Sequence, residues 1–339
     1  MAASVRDVAR LAGVSVGTVS NVLNARGTVD PEMAERVHGA IERLGYVRND
    51  AARQLRAGRS RAIAFISLNA ANPFFSDLAR GAEEQAAAAG FSVIHANIDE
   101  KAQREARYID LFEEQRVHGV LISPFGDVAD RLRQMRKRGI PTVLVDRASS
   151  DSSFSSVSVD DVAGGEAAVS HLIDRGRRRI VYIGGPIGIR QVGDRLAGAR
   201  RAVAAAEDAG LDVTLDVVEV DGLSLPEGWR AGQVVTERQQ REWPDAVFAA
   251  NDLLAIGFLQ AVVRKDPRAV PGRIAIVGYD DIDFAAASAV PLSSVRQPAE
   301  QIGAAAVRIL LEEADNPDTT PQHVVFQPDL VVRDSTGDC

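Results

Sequence analysis

Residues Val5–Asn24 read VRDVARLAGVSVGTVSNVLN, and this stretch decides the fold of the amino-terminal end. Val8, Ala9, Leu11 and Ala12 recur at the spacing of one helical face. Gly13 follows, where a backbone without a Cβ can take positive φ and end the helix. Ser15 is placed to cap a second helix whose inner side is Val19, Val22 and Leu23. Small Ala9, Gly13 and branched Val19 supply what a helix-turn-helix needs: close helix contact, a sharp corner and an apolar plug. The second helix leaves Val16, Gly17, Thr18, Ser20 and Asn21 outside, available to a DNA groove.

Outward from this corner, Asp30 is a good N-cap, Pro31 suits the first helical position and Glu32 complements the helix dipole. Met33, Val37, Ala40, Ile41 and Leu44 form the stripe of this third helix, and Gly45 ends it. Asn49 can cap a short helix carrying Arg53, Leu55 and Arg56, and residues 57–61 read as linker. The reading therefore divides the chain into 1–48, a hinge and linker at 49–61, and a body at 62–339.

In the body, apolar runs at Ile63–Ser67, Phe91–Ala96, Gly119–Ser123 and Thr142–Val145 alternate with helical stretches near 75–89, 101–116 and 128–138. The rhythm resumes with Ile180–Ile183, Val217–Val220, Ala246–Ala250 and Ile274–Val277, between helices near 161–175, 193–209, 228–240 and 252–264. Such βαβα alternation implies parallel sheets covered by helices. Its two blocks, with a break in the serine-rich stretch around 150–160, predict two doubly wound lobes with a crevice at the carboxyl ends of their strands.

The net charge of −8 is divided unevenly. Residues 1–61 carry ten arginines and six acids, a net of +4, which leaves −12 on the rest. A basic end on an acidic body lets one module meet phosphates while the body is repelled. The one cysteine is Cys339, which excludes an intrachain disulfide and a cysteine metal cage, and the five histidines lack ligand spacing. Without a secretory h-region or an apolar run of bilayer length, a cytoplasmic protein with no membrane association is expected. No cofactor is expected either.

Together with AARQL at Ala51–Leu55, NPFF at Asn72–Phe75, RLAG at Arg195–Gly198, ND at Asn251–Asp252, GYDD at Gly278–Asp281 and PLSSVRQP at Pro291–Pro298, these features resemble the LacI/GalR family of bacterial transcriptional regulators over essentially the whole chain. The resemblance implies an N-terminal all-α helix-turn-helix module and an α/β two-lobed, periplasmic-binding-protein-like body whose lobes are joined by three crossovers. It assigns lobe one to about 62–160 plus 294–320 and lobe two to about 161–290 plus 323–334. It also implies a homodimer on roughly palindromic operator DNA, with repression more expected than activation.

By the same resemblance, Val16, Gly17 and Asn21 stand where the family reads bases. Asn21 suits a bidentate contact with adenine, unless it is only a solvated helix residue, and Val16 suits a thymine methyl. Gly17 offers no side chain, so the code is narrower or looser there. Thr18 and Ser20, beside the capping Ser15, are expected on phosphates. Arg53 and Arg56 would face the DNA backbone, and Leu55 matches the hinge leucine that wedges into the minor groove. In the body the resemblance places Asn72, Asp146, Arg195, Asn251 and Asp280 around an interlobe effector, with Phe74 and Phe75 as an apolar wall. Asp280 could instead cap a turn, and Phe75 could be core. Carboxylates, a guanidinium and an amide together can hold vicinal hydroxyls, because each hydroxyl both donates and accepts. Leu223, where many members place an aromatic, disfavours a flat purine and favours a sugar or polyol.

Two other function classes fail on particular residues. Gly13-Val14-Ser15-Val16-Gly17 matches the G-x-S-x-G pattern of a nucleophile elbow, but a helix precedes it where a strand is required, and no histidine has a partner. A transport protein built on the same body would carry a signal peptide and no basic helical module.

Overall fold

The structure, a computed structural model, describes residues 3–23, 30–46, 60–148 and 153–337. It comprises two compact units, 1–59 and 60–339. The first holds α1 (Val5–Ala12), α2 (Val16–Leu23) and α3 (Pro31–Leu44). Ser4 and Asp7 form a reciprocal capping box at the start of α1, and Gly13 ends that helix at φ 64°. The Thr18 N–H donates to Ser15 Oγ at 3.0 Å, which caps α2. The Glu32 N–H donates to Asp30 Oδ1 at 2.8 Å, and Gly45 closes α3 at φ 55°.

Val8, Ala9, Ala12, Val19, Val37 and Ala40 are the buried core of this unit, flanked by Val22, Leu23, Ile41 and Leu44. Leu11, expected inside, is exposed. At about 100° per residue, Val8, Ala12 and Ala9 span about 100° of arc and Leu11 falls about 60° beyond it. Met33, in the first turn of α3, is exposed as well.

The second unit contains two six-stranded sheets. The first lobe runs β1 (Ala62–Ser67), α4 (Pro73–Ala88), β2 (Ser92–Asn97), α5 (Ala102–Glu114), β3 (Gly119–Ile122), α6 (Ala129–Lys137), β4 (Thr142–Val145) and β5 (Ser155–Val159). The second runs α7 (Asp161–Asp174), β6 (Arg179–Gly184), α8 (Arg190–Asp208), β7 (Thr214–Glu219), α9 (Leu225–Glu237), β8 (Ala246–Ala249), α10 (Asp252–Lys265), a short α11 (Ala269–Gly272), β9 (Ala275–Asp280), a short α12 (Asp283–Ala286) and β10 (Ser293–Arg296). The chain then returns through α13 (Ala299–Asp315), β11 (His323–Phe326) and β12 (Asp329–Val331). Strand orders are β11-β5-β4-β3-β1-β2 and β12-β10-β9-β8-β6-β7. Every pairing is parallel except that of β12 with β10. Among the described residues, no helix is long and apolar enough to cross a membrane.

Three expectations are corrected. The serine-rich break holds β5, whose five residues SSVSV are all buried. Serine is small enough for a covered sheet, and two of the three hydroxyls are bonded: Ser155 Oγ donates to buried Glu313 and Ser156 Oγ meets His323 Nδ1 at 3.0 Å, while Ser158 Oγ is buried without a partner. The tail also divides differently between the lobes. Ser293–Arg296 pairs with β9 and so belongs to the second sheet, whereas His323–Phe326 pairs with β5 in the first. Backbone pairing, which leaves little trace in so short a strand, makes that choice. Finally, the edge strand β7 starts at Thr214, ahead of its apolar run at 217–220, because an edge open to solvent need not be apolar along its length. Three crossovers join the lobes, at 159–161, 296–299 and 326–329.

Candidate functional site

On the helical unit, Ser15, Val16, Gly17 and Asn21 are exposed, and Thr18 and Ser20 are half-buried. Val16 keeps 44% of its surface exposed, although a valine at that position could have joined the core. Ser15 Oγ is committed to capping α2 and lies 2.9 Å from Thr18 Oγ1, so both hydroxyls sit at the helix N-terminus, where anions are favoured. Arg36 of α3 braces this corner by donating to the carbonyls of Ala12 and Gly13, the latter at 3.2 Å. Arg53, Leu55 and Arg56 lie outside the described residues.

In the two-lobed unit, the polar residues expected at the crevice are buried at the carboxyl ends of strands or the amino ends of helices. Asn72 caps α4 through the Phe74 N–H, and its Nδ2 donates to Asp280 Oδ2 at 2.7 Å. Asp146 follows β4, and Gln191 Nε2, in the first turn of α8, donates to its Oδ2 at 2.8 Å and to its carbonyl. Both bonds cross from one lobe to the other. Arg195, one turn further along α8, donates through Nε to Asp161 Oδ1 at 2.8 Å and through Nη1 to the Ala250 carbonyl at 2.6 Å. Its guanidinium lies 3.7 Å over the Tyr279 ring, and Nη1 is 3.8 Å from Asp280 Oδ1. Gln297 Nε2, in the second crossover, donates to that same Asp280 oxygen at 2.7 Å.

Asn251 is placed differently from the rest. It caps α10 through the Leu254 N–H, and its Nδ2 donates to the Leu223 carbonyl at 3.3 Å. Leu223 is thereby held from the second lobe, while its backbone lies against Glu100 of the first. Glu100 in turn accepts from Asn69 Nδ2 at 2.9 Å. Phe74 and Phe75 are in edge-to-face contact at 5.1 Å and belong to the apolar core.

Close helix contact brings the charged groups together. A Cβ on Gly165 of α7 would stand 2.1 Å from the Arg195 carbonyl, and one on Gly198 of α8 would stand 2.0 Å from the Val162 carbonyl. These two glycines let α7 and α8 approach until Arg195 reaches Asp161. The backbone adds a second constraint. Asp146 and Asp280 adopt φ of 57° and 103°, a region uncommon for residues with a Cβ, and both stand where a strand meets the lobe seam.

Burial drives the Asp146 carboxyl up to about 8, and the neighbouring Asp161 and Asp280 carboxylates add to the effect. Asp280 is pushed up to about 6, chiefly by burial, against the pull of Arg195 and the bonds from Asn72 and Gln297. Asp161 is raised by burial, although Arg195 opposes the shift. Burial alone would lower Arg195, but Asp161, Asp280 and Asp146 more than offset it and keep the guanidinium charged. The site is thus a desolvated, hydrogen-bonded cluster of ionisable groups shared between lobes.

Residues 4–49 match the family described as bacterial regulatory proteins, lacI family, and residues 169–336 match a periplasmic binding protein-like domain. The chain is 33% identical to the ribose operon repressor of Escherichia coli strain K12, over 98% of this chain and 99% of that one. The chain belongs to the lacI family of bacterial regulatory proteins. Among solved structures it is similar to a complex of the transcriptional regulator CelR with cellobiose, at 32% identity and a TM-score of 0.71, over 98% of this chain and 99% of that one. The lac repressor dimer bound to operator and an anti-inducer matches in fold, with a TM-score of 0.83 at 24% identity over both whole chains. These relatives are regulators, not enzymes.

Several residues of this lacI-family site escaped the sequence reading. Asp161 opens the helix after β5, the strand taken for a break, so its place at a strand-to-helix junction was hidden. Gln191 precedes the position where α8 was expected to begin. Gln297 lies inside PLSSVRQP, a stretch noted as a landmark without a role. Glu100 and Asn69 follow strand ends, and only that placement could have pointed to them.

Proposed function

We propose that this regulator represses transcription as a homodimer on a roughly palindromic operator, and that a small hydroxylated effector, a sugar or polyol, sets its affinity for DNA. The observation that carries the reading is the pair of buried interlobe bonds, Asn72 to Asp280 and Gln191 to Asp146, at the carboxyl ends of the strands. A ligand inserted there exchanges these bonds for its own and changes how the lobes meet. It acts only through its difference in affinity for the two arrangements. The relatives support the effector class, since one is named for a ribose operon and another is bound to cellobiose.

On the DNA side, Asn21 reads an adenine, Val16 meets a thymine methyl, and Ser15, Thr18 and Ser20 hold phosphates. By family resemblance Arg53 and Arg56 add backbone contacts and Leu55 a minor-groove wedge. Asp146, Arg195 and Asp280 are the effector ligands, with Asn72 and Asn251 setting their surroundings and Phe74 and Phe75 backing them.

The test is binding of the full chain to DNA upstream of its own gene, at several salt concentrations, with and without ribose, cellobiose and other free sugars. A specific complex that one sugar abolishes or strengthens supports the reading and supplies the sign of the response. Binding that follows salt alone, with no preferred site and no sugar effect, refutes it.

A further inference from the structure

The buried groups of the cleft are divided unevenly between donors and acceptors. Three carboxyl groups, Asp146, Asp161 and Asp280, share one guanidinium, Arg195. A fourth, Asp252, stands behind Asp280 and is occupied by Ser294 Oγ and the Ile282 N–H. Each amide nitrogen nearby is already engaged: Gln191 and Gln297 on Asp146 and Asp280, Asn72 on Asp280, Asn251 on the Leu223 carbonyl.

The amide oxygens of the two glutamines are the reverse case. Gln191 and Gln297 are 4% and 5% exposed, and Oε1 of each has no hydrogen-bond partner. Neither amide can turn over, because that would set Oε1 against a carboxylate oxygen. Tyr279 Oη, against the Arg195 guanidinium, also lacks a partner and can donate or accept, so the unmet capacity of the cleft is weighted toward accepting hydrogen bonds, and Asp161 and Asp280 outnumber the one guanidinium in charge. Hydroxyl groups satisfy unpaired acceptors, whereas ionised phosphate and carboxylate groups only accept. Burying a further negative charge in a cluster that already drives Asp146 to hold its proton is costly.

We propose that the cleft selects a donor-rich ligand without negative charge, a free sugar or polyol, and rejects the phosphorylated or acidic form of the same molecule. The inference rests on the effector-cleft reading above and specifies its chemistry. The elevated carboxyls of Asp146 and Asp280 accord with an overfilled acceptor cluster.

The experiment measures thermal unfolding of the full chain with matched pairs: ribose and ribose 5-phosphate, glucose and glucose 6-phosphate, cellobiose and cellobionate. A neutral sugar that raises Tm while its charged partner binds at least about tenfold more weakly, about 1.4 kcal/mol, is the expected result. A charged partner that stabilises as well or better overturns the inference and leaves the effector cleft standing. If no sugar acts, neutral or charged, the sugar reading and this inference fail together, an outcome distinct from stabilisation by the charged partner.

Discussion

Asn72 and Asp280 are 208 residues apart in sequence and are joined by a hydrogen bond of 2.7 Å from Nδ2 to Oδ2. The bond ties the N-cap of α4 in one lobe to the end of β9 in the other, so one asparagine both starts a helix and holds the lobes together. Separating the lobes at this point breaks the bond and leaves Asp280 with Gln297 and Arg195 as its nearby partners.

Asn72→Ala should therefore cost about 2–3 kcal/mol, the sum of a lost cap and a buried acceptor short of a donor. Urea unfolding measures it. Asn72→Asp keeps a capping oxygen but sets carboxylate against carboxylate. Its deficit relative to wild type should be greater at about pH 8 than at about pH 5. Equal deficits at the two values would remove the Asp280 contact from this account.

The raised carboxyl of Asp280 gives a signed pH dependence. A group whose folded pKa exceeds its unfolded value contributes stability that is fully present below the unfolded value and lost as pH rises through the folded one. For Asp280 that window runs from the ordinary aspartate value of 3.8 to about 6. Asp280→Asn should flatten this part of the stability profile, read by denaturant titration at closely spaced pH values.

Gly165→Ala places a methyl group 2.1 Å from the Arg195 carbonyl, in backbone that cannot turn aside. The expected loss is about 3 kcal/mol, at the upper end of ordinary overpacking. Because α8 must retreat, the Arg195–Asp161 pair should loosen with it. A Gly165→Ala protein as stable as wild type would show that the two helices separate without cost.

Arg36→Ala removes the donors that meet the carbonyls of Ala12 and Gly13. As Arg36 is exposed, the loss should be modest, about 1 kcal/mol. Hydrogen exchange in α1 and α2 should report it, with operator and non-operator DNA weakened alike.

Asn21→Ala, by contrast, should relax discrimination at one base pair by about 1–3 kcal/mol, while Thr18→Ala weakens all sequences about equally. Competition binding against single-position operator variants separates the two. Uniform weakening by Asn21→Ala would reduce that residue to a solvated helix position.

The amino-terminal unit was legible because its determinants are local. Gly13, Ser15, Asp30 and Gly45 end or begin helices through bonds to backbone a few residues away, and only the Ser4 capping box went unread. Only Leu11 and Met33 misled, since periodicity marks a face without saying how wide a small core will be. In the body, long apolar strands such as β1 and β9 announced themselves, and the crevice residues Asp146, Arg195, Asn251 and Asp280 stood at element ends that alternation could locate. β5 did not, because a buried serine strand depends on Glu313 and His323, over 150 residues later, to meet two of its three hydroxyls.

The sequence by itself determined the helix-turn-helix and the two-block α/β rhythm, because caps, periodicity and strand ends are written within a few residues; part of the polar set of the cleft followed only from the family resemblance. Only the tertiary structure decided which lobe receives His323–Phe326, that Asp161 is the partner of Arg195, and that Gln191 and Gln297 hold the cleft carboxylates. Those outcomes depend on strand pairing, on the close approach that Gly165 and Gly198 permit, and on burial that changes the proton affinity of Asp146 and Asp280. Each arises between groups that meet only once the chain has folded.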